Sequence, residues 1–356
     1  MTGAANLRAR RVSRVRRLAA SVAMSMTLLA GLALPVGSAQ AEQIAPMAKA
    51  TEQVVQVQNS FDTLFGTELR GPKTFTGFEQ QLAAVAEASQ GRIGVAAVDL
   101  TSGRTVDILG SQRFPMASTS KVAIAATFLD GVDKGRWSLS SQFPLMVPVS
   151  SAPFSTAVAP VRAGELMSAQ QLIELMITRS NNYATDALLK VVGGPTAVNA
   201  WVQRAGIDDW QIDRDIATLV RDDGAIDPAR VVDKRDSATP LAMVRLLSGI
   251  YQGKWLSPNS RGVLLGAMGR CVTGKRRIPA GLPENVMVSH KTGSLNNTSS
   301  DVGIIQTPDG RVFAVAIYVT GQGGRPNREA RIASITRTLY NGYLSEPASY
   351  RRTASR

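Results

Sequence analysis

From residue 76 onward the chain switches between two hydrophobic periods. Phe78–Gln90 carries apolar residues at helical spacing. Ile93–Leu100 (IGVAAVDL) and Arg104–Leu109 read as strands, and Thr101-Ser102-Gly103 between them predicts a hairpin. A long helical block follows, from Ser118 to about Pro279. Strand character returns in Val286–Lys291, Val302–Gln306 and Val312–Val319, with Pro308-Asp309-Gly310 as the turn between the last two. Asn327–Tyr343 closes the pattern as an amphipathic helix. Strands at both ends of a helical middle predict an α+β fold. One antiparallel sheet of about five strands, drawn from both chain ends, packs with the terminal helices, and an all-helical lobe lies beside it. The active site is expected between the two.

The first forty residues have a different character. Arg8, Arg10, Arg11, Arg14, Arg16 and Arg17 form a basic start without an acid. An apolar run from Leu18 to Val36 follows, broken by Pro35, and then the small–any–small site Ala39-Gln40-Ala41. This order predicts a signal peptide over 1–41, cleaved after Ala41, and delivery to the periplasm or beyond with no lasting membrane anchor. Arg16-Arg17 leaves both general and twin-arginine export open. No Cys stands near the cleavage site, which excludes a lipoprotein. Residues 42–75 read as an extension, with a helical stretch near Ala50–Phe65 and a break at Gly71-Pro72. Residues 76–345 form the domain, and 346–356 form a basic tail.

Composition narrows the chemistry. The 356 residues hold 40 Lys+Arg against 27 Asp+Glu, one His and one Cys. Six of the thirteen net positive charges leave with the leader, and the rest are dispersed. There is no basic–aromatic interleaving, so no nucleic-acid partner is expected. A single Cys excludes an intrachain disulfide and argues against a cysteine-held metal. A single His argues against a histidine metal cluster or a Ser–His–Asp triad. No metal or cofactor is expected, and the base of an enzyme built from these residues is Lys or a carboxylate. Cys271 reads as a small buried hydrophobe. His290 reads as a strand residue, placed to tune the Lys beside it if it acts at all.

Three short motifs carry candidate chemistry. Ser118-Thr119-Ser120-Lys121 opens the apolar run Val122–Leu129, and helical spacing puts Ser118 and Lys121 on one face, a turn apart. A Lys facing an apolar interior loses solvation, its pKa falls, and the neutral amine can take the serine proton. Ser180-Asn181-Asn182 falls between two helical stretches, where alone it reads as an ordinary turn. Lys291-Thr292-Gly293-Ser294 ends the strand-like Val286–His290. A Gly there admits close backbone approach, and Lys with two hydroxyls suits a carboxylate.

In that order the motifs S-x-x-K, S-x-N and K-T-G resemble the set of the class A β-lactamases and penicillin-binding proteins. The spacings, 62 residues from Ser118 to Ser180 and 111 from there to Lys291, also resemble class A. The likeness extends over about Thr76–Leu344, through Gly193-Gly194-Pro195 and Arg235-Asp236-Ser237-Ala238-Thr239-Pro240. It implies that Ser118 is the acylated nucleophile, Lys121 its base and Ser180 the proton shuttle to the departing nitrogen. Asn182 would bind the acylamino side chain, and Lys291, Thr292 and Ser294 the substrate carboxylate. The backbone N–H groups of Ser118 and Ser294 would form the oxyanion hole.

One region departs from the resemblance. Class A loops carry Arg-x-Glu-x-x-Leu-Asn, whose Glu and Asn hold the deacylating water. Here the matching stretch is Arg214-Asp215-Ile216-Ala217-Thr218-Leu219-Val220, with aliphatics at both positions. Arg214 can still pair with Asp236, across a loop several residues longer than usual. Asp215 is a candidate substitute base, one residue early. Asn181 stands where the family usually has Asp, at a chiefly structural position. These differences leave three functions open: a β-lactamase, slow or altered in deacylation; a D,D-peptidase-like enzyme acting on D-Ala-D-Ala stems; or a sensor that stays acylated. A monomer is expected.

Overall fold

Residues 77–345 are described in a computed structural model. The leader, the extension with its helical stretch and the basic tail lie outside them.

Five strands build the main sheet: β1 (Ile93–Asp99), β2 (Thr105–Ile108), β8 (Met287–Leu295), β9 (Thr298–Gln306) and β10 (Val312–Thr320). Their order is β2-β1-β10-β9-β8, antiparallel throughout, so the two chain ends interlock at the β1–β10 pair. Period-two alternation assigns the faces. Phe313, Val315, Ile317 and Val319 of β10 face one way with Ile93, Val95 and Ala97 of β1. They pack against the terminal helices α1 (Gly77–Val85) and α9 (Arg325–Ser345) through Leu82, Ile332, Ile335 and Leu339. Ala314, Ala316, Tyr318 and Ala96 face the opposite way, into the second core.

That second core belongs to the middle of the chain. Its centre is α2 (Lys121–Asp133), which is buried from Lys121 to Gly131. A helix apolar on every side is stable only when surrounded. Around it stand α3 (Ala169–Thr178), α4 (Asn182–Val192), α5 (Gly194–Arg204), α7 (Pro240–Tyr251) and α8 (Pro258–Gly269). A short helix, α6 (Ile216–Arg221), lies on the long loop. Caps mark the boundaries. Ser168 and Gln171 close a capping box on α3. Asn181 caps α4 by accepting from Ala184 N at 2.9 Å, a task Asn and Asp perform equally well. Gly193 ends α4 at φ 102°, a left-handed conformation that glycine adopts freely.

The lobe expected to be all-helical also holds two small sheets. β4 (Gln142–Pro148) pairs with β5 (Val161–Ser168), and β3 (Phe114–Pro115), β7 (Ser237–Ala238) and β6 (Trp210–Gln211) form a three-stranded patch. Pro144 and Pro148 disguise β4, yet proline is tolerated in a two-stranded ribbon with free edges, and the register shifts between Pro144 and Met146. The Glu-Leu-Met composition of β5 favours helix, and pairing overrides it. The late strands are also longer than their apolar runs. β8 extends through Lys291–Leu295, so K-T-G-S lies inside the strand. β9 begins at Thr298, ahead of its apolar run, with Ser299, Ser300 and Asp301 as buried polar residues that give no hydrophobic signal.

Candidate active site

The three motifs meet along β8, an edge of the main sheet. Ser118 lies in a 3-10 turn, Ala117–Ser120, that runs directly into α2, so its N–H is a first-turn donor without an intrahelical acceptor. β8 passes close beside this turn, and Gly293 makes the approach possible. A Cβ on Gly293 would stand 2.6 Å from Met116 O and 2.4 Å from Ser300 Oγ. The turn is itself strained, with Ala117 at φ 48°. Ser180, in the turn between α3 and α4, has φ 57°. Non-glycine residues hold such conformations only where their surroundings over-determine them.

Ser180 Oγ is the meeting point. It lies 3.2 Å from Lys121 Nζ and 2.9 Å from Lys291 Nζ. Lys121 Nζ also donates to Ser180 O and to Asn182 Oδ1, each at 2.8 Å. Lys291 Nζ donates to Thr292 O at 2.8 Å. Both lysines are fully buried. Burial, and then the charge of Lys291, hold Lys121 well below its ordinary pKa, while Asp186 opposes the shift. Burial lowers Lys291 to about 8. Two ammonium groups around one hydroxyl repel each other, which favours a neutral Lys121 beside a charged Lys291.

The remaining predicted residues frame this centre. Thr292 Oγ1 lies 2.7 Å from Thr273 Oγ1. Ser294 is exposed, and its Oγ accepts from Arg277 Nη2 at 2.7 Å. Arg277 sits in the basic run Lys275-Arg276-Arg277, which carries no sign of a site residue. It is wholly buried and donates to Gly293 O (2.8 Å) and Ser300 O (2.7 Å), and it pairs with Glu329 of α9. It therefore ties β8 to β9 and α9 at the height of the motif. His290 is buried behind Lys291, with Nδ1 2.9 Å from Asp301 Oδ1. Burial alone would lower its pKa, but Asp301 raises it to about 10. Cys271 is half-buried against Thr273 rather than enclosed in the core. Among the described residues no group of three or more His, Cys, Asp or Glu is placed to hold a metal ion.

The long loop roofs one side. Arg214 Nε pairs with Asp236 Oδ2 at 2.6 Å, and Asp236 Oδ1 accepts from Asp213 N and Arg214 N. Asp215 caps α6, its Oδ1 accepting from Thr218 N at 2.8 Å. Ile216 is buried and Val220 is exposed. A residue with no signal in the sequence, Asp186 of α4, accepts from Ile216 N at 2.7 Å and Ala217 N at 2.8 Å. The β4–β5 hairpin holds α6 from above. Thr218 Oγ1 accepts from Ala159 N at 2.8 Å, and Arg221 donates to Thr156 O at 2.9 Å while pairing with Asp222. Further along, Asp223 accepts from Asn296 N at 2.9 Å, and Asp227 accepts from Asn297 Nδ2 at 2.8 Å. A small cavity of about 60 Å³ lies between loop and sheet edge, lined by Phe154, Leu219, Asp223, Ile226, Leu295 and Asn296, and none of the motif residues lines it.

Comparison with known proteins gives a consistent result. The profile of the β-lactamase enzyme family matches residues 77–343. β-Lactamase CTX-M-25 of Escherichia coli is 30% identical over 269 residues, covering 74% of this chain and 89% of its own. β-Lactamase VEB-1 of Pseudomonas aeruginosa is 28% identical over 275 residues, with the same coverage. The solved structure of an ancestral (GNCA) class A β-lactamase superposes with a TM-score of 0.65 at 33% identity, over 74% of this chain and 99% of that one.

Proposed function

The chain belongs to the β-lactamase enzyme family and is a class A-like serine hydrolase, and from that premise we propose that it is exported and that β-lactams acylate it on Ser118, with release of the acyl group as the slow step. The observation that carries the reading is the pair of buried lysines converging on Ser180 Oγ, with Lys121 held well below its ordinary pKa.

The acylation step follows from that pair. A neutral amine has two N–H groups and one lone pair. Ser180 O and Asn182 Oδ1 take the two N–H groups of Lys121, which leaves the lone pair for a hydroxyl proton. Ser118 Oγ attacks the lactam carbonyl and its proton passes to Lys121 Nζ. The carbonyl oxygen becomes negative between the N–H groups of Ser118 and Ser294, fixed donors that meet charge only as it develops. The C–N bond then breaks. Ser180 Oγ delivers a proton to the departing nitrogen and is resupplied from Lys121. Charged Lys291, with Thr292 and Ser294, holds the substrate carboxylate, and Asn182 binds the acylamino side chain.

Deacylation needs a base for water. The loop offers Ile216 and Val220 where the class A pattern has Glu and Asn, and the Asp215 carboxylate caps a helix. This favours a long-lived acyl-enzyme, and with it a second reading as a D,D-peptidase-like or sensor protein of the cell envelope. Pre-steady-state mixing with benzylpenicillin tests the choice. A burst of ring opening equal to the enzyme concentration, followed by slow turnover, is expected. Ring opening without a burst would place the slow step at or before acylation and refute the reading.

A further inference from the structure

The segment that joins α8 to the Arg277 clamp borders the K-T-G motif, and the proposed reaction makes no use of its charge. It is pinned at three points. Val272 N donates to Thr178 O at 3.0 Å, at the end of α3. Thr273 Oγ1 lies 2.7 Å from Thr292 Oγ1. Arg277 is buried and donates to Ser294 Oγ at 2.7 Å. Between the last two points the chain turns tightly, with Arg277 N donating to Gly274 O at 2.8 Å. A Cβ on Gly274 would stand 2.3 Å from Thr292 Cγ2, so the turn lies directly on the motif. Its two central residues are Lys275 and Arg276, both exposed. Arg179, also exposed, stands between Thr178, which Val272 binds, and Ser180.

Three cations thus border the opening around Thr292 and Ser180. Among the described residues none of them pairs with a carboxylate. Arg270 and Glu174, at the foot of the segment, neutralise each other at 2.7 Å. The acids of the long loop, Asp223 and Asp227, lie at the other end of β8, on Asn296 and Asn297. We propose that the turn Gly274–Arg277, with Arg179, is a subsite for a second negative charge, and that the protein prefers β-lactams whose group beside the carboxylate is anionic. The inference rests on the reading of Lys291 and Thr292 as holders of the substrate carboxylate. In a cephem the carboxylate stands on C4, and its neighbour C3 carries a variable group. A carboxylate on Lys291 and Thr292 turns that group toward Thr273–Arg277. The acylamino chain leaves from the far side of the bicycle, toward Asn182. An anion on C3 is attracted by Lys275 and Arg276, and a cation is repelled. These charges face solvent, so salt screens them, and they act on encounter and binding rather than on bond breaking.

The test uses the mature protein and two pairs of cephalosporins. Cefotaxime and ceftriaxone share one acylamino group, and the C3 group is neutral in the first and anionic in the second. Cephalothin and cephaloridine share another, and the C3 group is neutral in the first and a pyridinium cation in the second. Acylation rates at limiting drug are measured by competition with a fluorescent penicillin, in about 0.02 M and about 0.5 M salt. Wild type is compared with Lys275→Gln combined with Arg276→Gln. Following each ratio across salt and variant cancels the difference in leaving group. In wild type the ceftriaxone-to-cefotaxime ratio is expected to be about threefold or more higher at low salt than at high salt, and the cephaloridine-to-cephalothin ratio about threefold or more lower. Both shifts vanish in the variant. Wild-type ratios that ignore salt, or shifts that survive in the variant, would overturn the subsite. Binding of ceftriaxone and cefotaxime to Ser118→Ala, followed by intrinsic fluorescence, judges the rim without acylation. A salt-sensitive preference for ceftriaxone supports it, and equal affinities overturn it. Wild type that shows this preference in binding but forms no adduct would refute Ser118 as the nucleophile and leave the subsite standing.

Discussion

Gly293→Ala tests whether the reaction depends on the close passage of β8 beside the Ser118 turn. The added Cβ would stand 2.6 Å from Met116 O, and ordinary contact begins at about 3.4 Å, so strand and turn must separate by about 0.8 Å. Met116 O is backbone and cannot swing aside as the Ser300 hydroxyl can. The separation falls between Ser118 N and Ser294 N, the two proposed oxyanion donors. Loss of one such donor costs about 10²–10³-fold in rate, or roughly 2.7–4 kcal/mol, and a misplacement of about 1 Å costs about 10²-fold. Overpacking also destabilises the fold, by about 1–3 kcal/mol. Acylation by a fluorescent penicillin, timed on gels, should slow about 10²-fold in a variant that still gives a cooperative melt. A folded Gly293→Ala protein that labels within about threefold of wild type, under 1 kcal/mol, would refute the two-donor geometry.

Other consequences follow from the same site. Lys291 must be charged to hold a carboxylate and its pKa is lowered to about 8, so KM for benzylpenicillin should rise as pH passes upward through about 8; a flat KM to pH 9.5, well beyond that value by about one and a half units, would show that Lys291 stays charged or does not bind substrate. Asp236→Asn breaks the 2.6 Å pair with Arg214, whose side chains are 17% and 5% exposed, and should cost about 3 kcal/mol in urea unfolding; an unchanged midpoint would mean that the backbone bonds alone close the loop. Ile216→Glu combined with Val220→Asn should shorten the life of the penicilloyl adduct, and an unchanged lifetime would show that the longer loop carries those positions away from the acyl group.

What the sequence revealed depended on whether the signal was local. S-x-x-K, S-x-N and K-T-G are short patterns on elements that their neighbours define, so Ser118, Lys121, Ser180 and Lys291 were legible together. The interlocked sheet was legible because Val95, Ile305 and Val315 lie in apolar runs at both chain ends. The β4–β5 hairpin was hidden by Pro144 and Pro148 and by a helix-favouring composition in β5. Asp186 acts on backbone amides 30 residues away, and nothing near it in sequence marks them. Arg277 is a buried clamp inside a basic run that reads as solvated surface. For Asp186 and Arg277 a long-range partner decides the role, and a polar residue's long-range partner leaves no periodicity in the sequence.

The central claim is that Ser118 is acylated and that the lysine pair around Ser180 serves that step. Intact-mass spectrometry of wild type and Ser118→Ala, followed over time after mixing with benzylpenicillin, tests it most directly. One penicillin added to wild type, persisting through many sampling times, and no addition to Ser118→Ala is the predicted result. An adduct of equal size on Ser118→Ala would contradict the nucleophile and the mechanism built on it.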